Sequence, residues 1–145
     1  MPETPRTPAG RLVSAFGDVD RMRKLYAPGI QWSLSASLPY PRPMRGTEAV
    51  VAFNTSVWSD VYFPDCTVEI LDETGDDTKS AVRFIYRARY RATGAIYENE
   101  YTLFARSGAN GIEEVFEALD TAAILDQLAG RPVGSTFADR AKAAD

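Results

Sequence analysis

A chain of 145 residues with no histidine and a single cysteine, Cys66, leaves any chemistry to carboxylates, phenols and amides. The absence of histidine removes the commonest general base, the usual activator of a nucleophile and the commonest metal ligand together. A zinc or transition-metal site would have to rest on carboxylates alone, and no Gly-rich phosphate loop occurs, so no metal and no cofactor are expected. The residues that remain gather in two stretches, 83–92 and 95–106, with strict alternation. A two-residue turn at Thr93 and Gly94 would set Arg89 opposite Glu98, Arg87 opposite Glu100 and Tyr86 opposite Tyr101. One face is then ion-paired. The other carries Phe84, Tyr86, Ala88 and Tyr90 against Tyr97, Asn99, Tyr101 and Leu103. A buried hydroxyl or amide costs ~1–3 kcal/mol unless it finds a partner, so a face this rich in phenols reads as the wall of a ligand cavity. Asn99 is read as a site residue, with a hydrogen bond to Tyr97, Tyr101 or a buried water as its structural alternative. The arginines at 83, 87, 89 and 91 resemble a phosphate stripe, but two have glutamates opposite, which favours a solvated or dimer-forming face.

Other elements must position these strands. Residues 9–16 form a short helix candidate, and Asp18 caps a second helix in which Val19, Met22, Leu25 and Tyr26 recur, ended by Pro28 and Gly29. Residues 30–38 alternate apolar and polar without an error and predict a half-buried antiparallel strand with Trp32 inward. A proline-rich loop over 39–46, containing Tyr40, leads to a helix capped by Thr47 and running to about residue 60, with Val50, Phe53, Val57 and Val61 as its buried stripe and Trp58 near its edge. Strands over 66–71 and 112–119 and a helix over 121–129, stopped by Gly130, complete the pattern. Residues 1–130 are thus expected to form a single domain, and 131–145 a loosely held tail. The order of elements predicts an α+β class, with helices on one face of a curved, mostly antiparallel sheet.

Composition narrows the partners. Sixteen basic residues against twenty acidic ones give a net charge of −4, which makes nucleic acid an unexpected partner. No apolar run approaches the length of a membrane span or a signal peptide, and one cysteine fits a reducing compartment, so a cytoplasmic protein is expected.

The run LPYPRPMRGTEAVVAF, the segment TGAIYENEYTLF and the ending IEEVFEALDTAAILDQL, in this order and spacing over roughly residues 10–130, resemble SnoaL-like proteins of the nuclear transport factor two-like superfamily. The resemblance implies a cone-shaped curved sheet with helices on its concave face, a deep cavity between them, and a homodimer. It does not fix an activity, because such folds host unrelated functions. Ketosteroid isomerases, a worked case of carboxylate tuning, place an Asp at the end of the first strand; no Asp or Glu lies between Asp20 and Glu48 here. The Asp, Arg, Asp constellation of epoxide hydrolases is also missing from the row Phe84, Tyr86, Ala88, Tyr90. Polyketide cyclases of this kind need one acid/base carboxylate at the end of the last strand, and Asp120 stands at that position. Asp120 is equally well read as the N-cap of the terminal helix.

Which carboxylate faces the cavity turns on one residue of register. If opposite residues in the last hairpin sum to 217, Phe116, Ala118 and Asp120 face Tyr101, Asn99 and Tyr97. If they sum to 218, Glu117 faces Tyr101 and Asp120 turns away. The first is favoured because it buries Ile112, Phe116 and Ala118. The expected activity is cofactor-independent, cyclase-like or isomerase-like proton transfer on a cyclic or aromatic ketone. Asp120 would be the acid/base, with Tyr97, Asn99 and Tyr101 binding the enolate oxygen. Trp32, Tyr40, Trp58, Tyr86, Tyr90 and Phe116 would contact a small apolar or aromatic molecule. A ligand-binding or dimer-scaffolding protein without catalysis is the alternative.

Overall fold

The computed structural model describes residues 4–143. In chain order the elements are α1 (Pro8–Ser14), α2 (Val19–Arg23), β1 (Tyr26–Leu34), β2 (Met44–Arg45), α3 (Thr47–Ser56), a π-helical turn Val57–Val61, β3 (Thr67–Gly75), β4 (Lys79–Arg89), β5 (Ile96–Gly108), β6 (Gly111–Leu119), α4 (Thr121–Leu128) and α5 (Ser135–Ala143). The six strands form one curved, open sheet in the order β2-β1-β6-β5-β4-β3. The expected α+β arrangement holds: α1 packs on β3, β4 and β5, and α3 packs on β1. No helix among the described residues is long and apolar enough to cross a membrane.

The first strand departs from its expected place and pairing. It runs over Tyr26–Leu34, not 30–38, and pairs in parallel with β6. Pro28 and Gly29, expected to end a helix, lie inside it where the β1–β6 register breaks between Tyr26 and Gln31. Proline has no N–H to give to a ladder, and an irregularity is where a strand tolerates it. The inward row Ile30, Trp32 and Leu34 is buried as the alternation requires. The segment from Ser35 to Tyr40 leaves the sheet in turns, so Ala36 is exposed while Leu38 and Tyr40 pack against the core. Helix α3 is capped at Gly46, and the Thr47 hydroxyl donates instead to the Pro28 carbonyl at 3.2 Å.

The β4–β5 hairpin keeps its faces but not its turn. Its opposite residues sum to 185, so Arg87 meets Glu98 and Tyr86 meets Asn99. The connection is a four-residue turn, Arg91 to Gly94, closed by hydrogen bonds from Tyr90 N to Ala95 O and from Gly94 N to Tyr90 O. Gly94 takes the left-handed φ of +71° that this closure needs. A shift of two residues preserves side-chain alternation, so the ionic face survives with new partners: Arg87 with Glu98 and Glu69, Arg83 with Glu100, and Arg89 with Asp65. These pairs are half-exposed and stabilise little.

The β5–β6 hairpin decides the site. At the tight turn Gly108 pairs with Gly111 and Ser107 with Ile112, a sum of 219 that would carry Phe116 inward. Glu113 is then an extra residue, and beyond it Arg106 pairs with Glu114, Phe104 with Phe116 and Leu103 with Glu117. Arg106 bonds both Glu113 and Glu114 across this bulge. A bulge inserts one residue and reverses the facing of everything after it. The favoured register is thereby overturned: Glu117 points into the core side, while Phe116 lies partly exposed on the convex face beside Phe104.

The described residues beyond Gly130 include α5, Ser135–Ala143. Asp126 of α4, fully buried, accepts hydrogen bonds from Gly134 N, Thr136 N and the Thr136 hydroxyl, and so caps α5. These bonds hold the Asp126 carboxyl below its ordinary pKa.

Candidate active site

A cavity of about 350 Å³ opens between the concave face of the sheet and the helices. The sheet supplies Trp32 and Leu34 from β1, Tyr86 from β4, Tyr101 from β5, and Glu117 and Leu119 from β6. Opposite them stand Phe53 and Asn54 of α3, Trp58 of the π turn, and Tyr40 and Leu38 of the loop after β1. Ile124, Leu125 and Leu128 of α4, the two leucines half-exposed, and Tyr62 at the end of the π turn add to the wall. No lysine or arginine is among these residues.

The π turn explains why Trp58 is inward and not at the edge of a helical stripe. One residue more per turn rotates the indole onto the cavity side, where it is buried. The carbonyls of Trp58 and Tyr62 are then met by the Arg91 guanidinium, which donates to both at 2.5–3.1 Å. Trp58 Nε1 donates to the Tyr86 hydroxyl at 2.8 Å and fixes two lining rings against each other.

Among the described residues Glu117 is the one carboxylate in the lining. Only 6% of its surface is exposed, and desolvation pushes its pKa up to about 7, with Trp32 the one partner that pulls it back. The Trp32 N–H nonetheless forms no hydrogen bond of proper geometry, so it restrains the carboxyl without satisfying it. Tyr26, Tyr86, Tyr97 and Tyr101 all sense the Glu117 charge, and burial raises every one of them, so these phenols stay neutral and act as donors. Tyr26 spends its proton on Asn54 Oδ1 at 2.6 Å.

Behind Tyr101 runs a fixed polar chain. Asn99 Oδ1 accepts from Glu100 N, and Asn99 Nδ2 donates to the Asp120 carbonyl and to the Tyr97 hydroxyl, each at 2.9 Å. The carbonyl can only accept, which fixes the amide orientation. The Tyr97 and Tyr101 hydroxyls are 2.7 Å apart.

The structure gathers Trp32, Tyr40, Trp58, Tyr86 and Tyr101 at the cavity. Tyr97 and Asn99 lie one layer behind it. Tyr90 is buried and stacked on Tyr62 at 5.3 Å, outside the cavity lining, and Phe116 is on the opposite face. Asp120 is exposed, and its carboxylate accepts from Ala123 N at 3.0 Å as the N-cap of α4. Asp120→Asn is accordingly expected to leave melting temperature and turnover close to wild type, and Asp120→Ala to lose ~1 kcal/mol in a denaturant melt. Asn54 and Tyr62 were missed in the sequence. Asn54 had a signal, because it stands four residues after Val50 and three before Val57 on the helix stripe, where a polar side chain needs a reason. Among the described residues no group of three or more Asp, Glu or Cys side chains is arranged to hold a metal ion.

The model of the family described as SnoaL-like domain matches residues 11–112. No curated protein matches the chain significantly. Among solved structures, a Catenulispora acidiphila protein with a ketosteroid isomerase-like fold, in complex with trimethylamine, superposes with a TM-score of 0.72 at 13% identity, over 90% of this chain and 97% of that one. A candidate SnoaL-like polyketide cyclase from Jannaschia sp. CCS1 gives 0.69 at 14% identity, over 91% and 99%. A candidate isomerase from Rhodopseudomonas palustris gives 0.69 at 16%, over 83% and 92%. At these identities the likeness is one of fold.

Proposed function

The chain belongs to the SnoaL-like domain family, and from that premise we propose that it is a cofactor-independent enzyme of cyclase or isomerase type acting on a cyclic or aromatic ketone. The observation that carries the proposal is Glu117: a buried carboxyl, poised near neutrality, opening on a mostly aromatic and aliphatic cavity. The acid/base role expected of Asp120 passes to it.

The ionised Glu117 carboxylate takes a proton from the carbon next to the substrate carbonyl. As negative charge moves to the carbonyl oxygen, Tyr101 donates a hydrogen bond to it. Asn99 already fills one lone pair of the Tyr97 oxygen, so Tyr97 can give its proton to the Tyr101 oxygen and free the Tyr101 O–H for the substrate. In an isomerisation, the Glu117 carboxylic acid then returns the proton to a different carbon. In a cyclisation, the enolate carbon forms a bond to a second carbonyl carbon, and Glu117 protonates the resulting alkoxide. Both sequences return Glu117 to its starting state. A side chain with a pKa near the working pH suits a group that must both take and give a proton.

Deuterium exchange next to the carbonyl of cyclic and aryl ketones in D2O, followed by proton NMR, tests the reading. Exchange is expected to rise with pH through about 7 and level off, following the ionisation of Glu117, and to persist in Asp120→Asn. Ketones that bind the cavity without any exchange would overturn the enzyme in favour of a ligand-binding protein.

Assembly belongs to the same proposal. The convex face pairs Phe104 and Phe116 across strands among arginines and glutamates of both signs, a surface able to match a second copy of itself. A dimer is expected by sedimentation at ~100 µM, a concentration that would populate even micromolar association. Phe104→Glu is expected to return it to the monomer. A cytoplasmic setting, suggested by the free Cys66, is proposed with it.

A further inference from the structure

Glu117 raises a question of charge that proton transfer alone does not answer. When the carboxyl ionises, it has no counterion among the described residues. No lysine or arginine lines the cavity, and the titratable groups that face Glu117 are neutral phenols: Tyr26 from β1, Tyr86 from β4, and Tyr97 and Tyr101 from β5. Burying an unpaired carboxylate is costly, and what it lacks is a positive charge placed inside the cavity.

The rest of the wall suits such a charge. Trp32, Tyr40, Phe53, Trp58, Tyr86 and Tyr101 line one space, with Trp32 6.0 Å from Phe53, Phe53 5.0 Å from Tyr40, and Tyr86 5.7 Å from Tyr101, ring centre to ring centre. All three contacts are edge-to-face, so these rings do not hide their faces against one another; one face of Tyr101 stacks on Phe84. An aromatic face attracts a cation through its quadrupole, most strongly where water is excluded. Rings can strip a well-hydrated ammonium only at a cost. An alkylated ammonium, whose charge is spread over methyl groups, loses little hydration on entry and fits an apolar wall.

We infer that the cavity binds small alkylated ammonium ions, with the Glu117 carboxylate as counterion and the surrounding aromatic rings as their cage. The inference rests on the cavity being the ligand site proposed above, and it adds a ligand class that uses Glu117 as an anion instead of a base. A substrate that carries both a ketone and an alkylated amine would be held by one group of interactions and converted by the other. Binding in this form excludes the protonated carboxyl, so affinity must follow Glu117 ionisation.

The test compares choline with its neutral isostere 3,3-dimethylbutan-1-ol, by calorimetry or by the fluorescence of Trp32 and Trp58, at pH 5.5 and pH 8.5. With a carboxyl pKa near 7, choline is expected to bind about 30-fold more tightly at pH 8.5 than at pH 5.5, a span in which the ionised fraction grows by that factor. The isostere is expected to bind weakly and with no dependence on pH. Glu117→Gln should remove at least tenfold of the choline affinity and leave the isostere unchanged. Equal binding of cation and isostere, choline binding that ignores pH, or full choline binding by Glu117→Gln would each overturn the inference. Aryl ketones serve as the separating control. If they bind and choline does not, the cation site falls and the proposed function stands; if neither binds, both fall.

Discussion

Glu117→Gln is expected to slow proton exchange on a ketone by about 10²–10⁴-fold, the contribution of a positioned general base. Glutamine keeps the length and shape of the side chain, so the cavity and its aromatic wall should hold ketones within a few-fold of wild type. The loss should fall on kcat and not on KM, because a base acts in the transition state while the lining rings bind ground state and transition state alike. Glu117→Asp offers an intermediate: it retains the carboxylate but withdraws it by one methylene, and partial activity is expected. Tyr101→Phe should also reduce turnover, by less, since it removes a hydrogen bond to the enolate oxygen and leaves the base intact. Wild-type exchange in Glu117→Gln would end the acid/base assignment.

The second large effect concerns stability against pH. Glu117 has a folded pKa pushed up to about 7 from a reference of 4.5. Between these values the native protein holds a proton that the unfolded chain has released. Stability therefore falls as pH rises from about 4.5 through 7, and levels off above that, where the carboxylate is charged in both states. A shift of this size corresponds to a loss on the order of 3 kcal/mol across the window, read from denaturant melts at pH 5 and pH 8. The chain has no histidine to titrate in that interval. Asp76, Glu73 and Asp126, whose carboxyls are held low by hydrogen bonds, act in the opposite sense and at lower pH, losing their contribution as pH falls through their folded pKa values. Glu117→Gln should flatten the decline. At pH 8 the variant is expected to be about 1–3 kcal/mol more stable than wild type, and near it at pH 5, since a buried amide still lacks ideal partners. A residue whose removal stabilises the fold while abolishing turnover is one that the fold keeps at a cost, which is the pattern of a functional group. A wild type equally stable at pH 5 and pH 8 would show that Glu117 is not desolvated as its surroundings imply.

These two effects belong to the carboxylate that the favoured sequence register turned outward, and the reason lies in what alternation can specify. Period-two patterning told which residues of β4 and β5 share a face: Tyr86 with Tyr97, Asn99 and Tyr101 on one side, Arg87 with Glu98 and Glu100 on the other. That inference survived even though the hairpin pairs by a different sum, because a slip of two residues changes partners without changing faces. The apolar row Ile30, Trp32, Leu34 was legible for the same reason, as were the Asp18 and Asp120 caps, which depend on interactions within a few residues of chain. The lack of histidine confined the chemistry to carboxylates and phenols before any fold was known.

What sequence could not decide was long-range. The parallel pairing of β1 with β6 joins residues more than eighty positions apart, and local propensity carries no record of it. The π turn that brings Trp58 inward depends on Arg91, from a distant turn, to satisfy the carbonyls it frees. The bulge at Glu113 has the largest consequence. The turn at Gly108 and Gly111 sets one parity, the bulge with Arg106 across it sets the other, and the second exchanges Phe116 for Glu117 at the cavity. Hydrophobicity alone favoured burying Phe116. The fold instead buries Leu103, Ile112 and Val115 around the bulge and leaves Phe104 and Phe116 paired outside. A single inserted residue costs the chain little locally, yet it reverses every side chain that follows, so composition set the kinds of polar group the chain could offer while tertiary pairing alone chose which carboxyl would face the cavity.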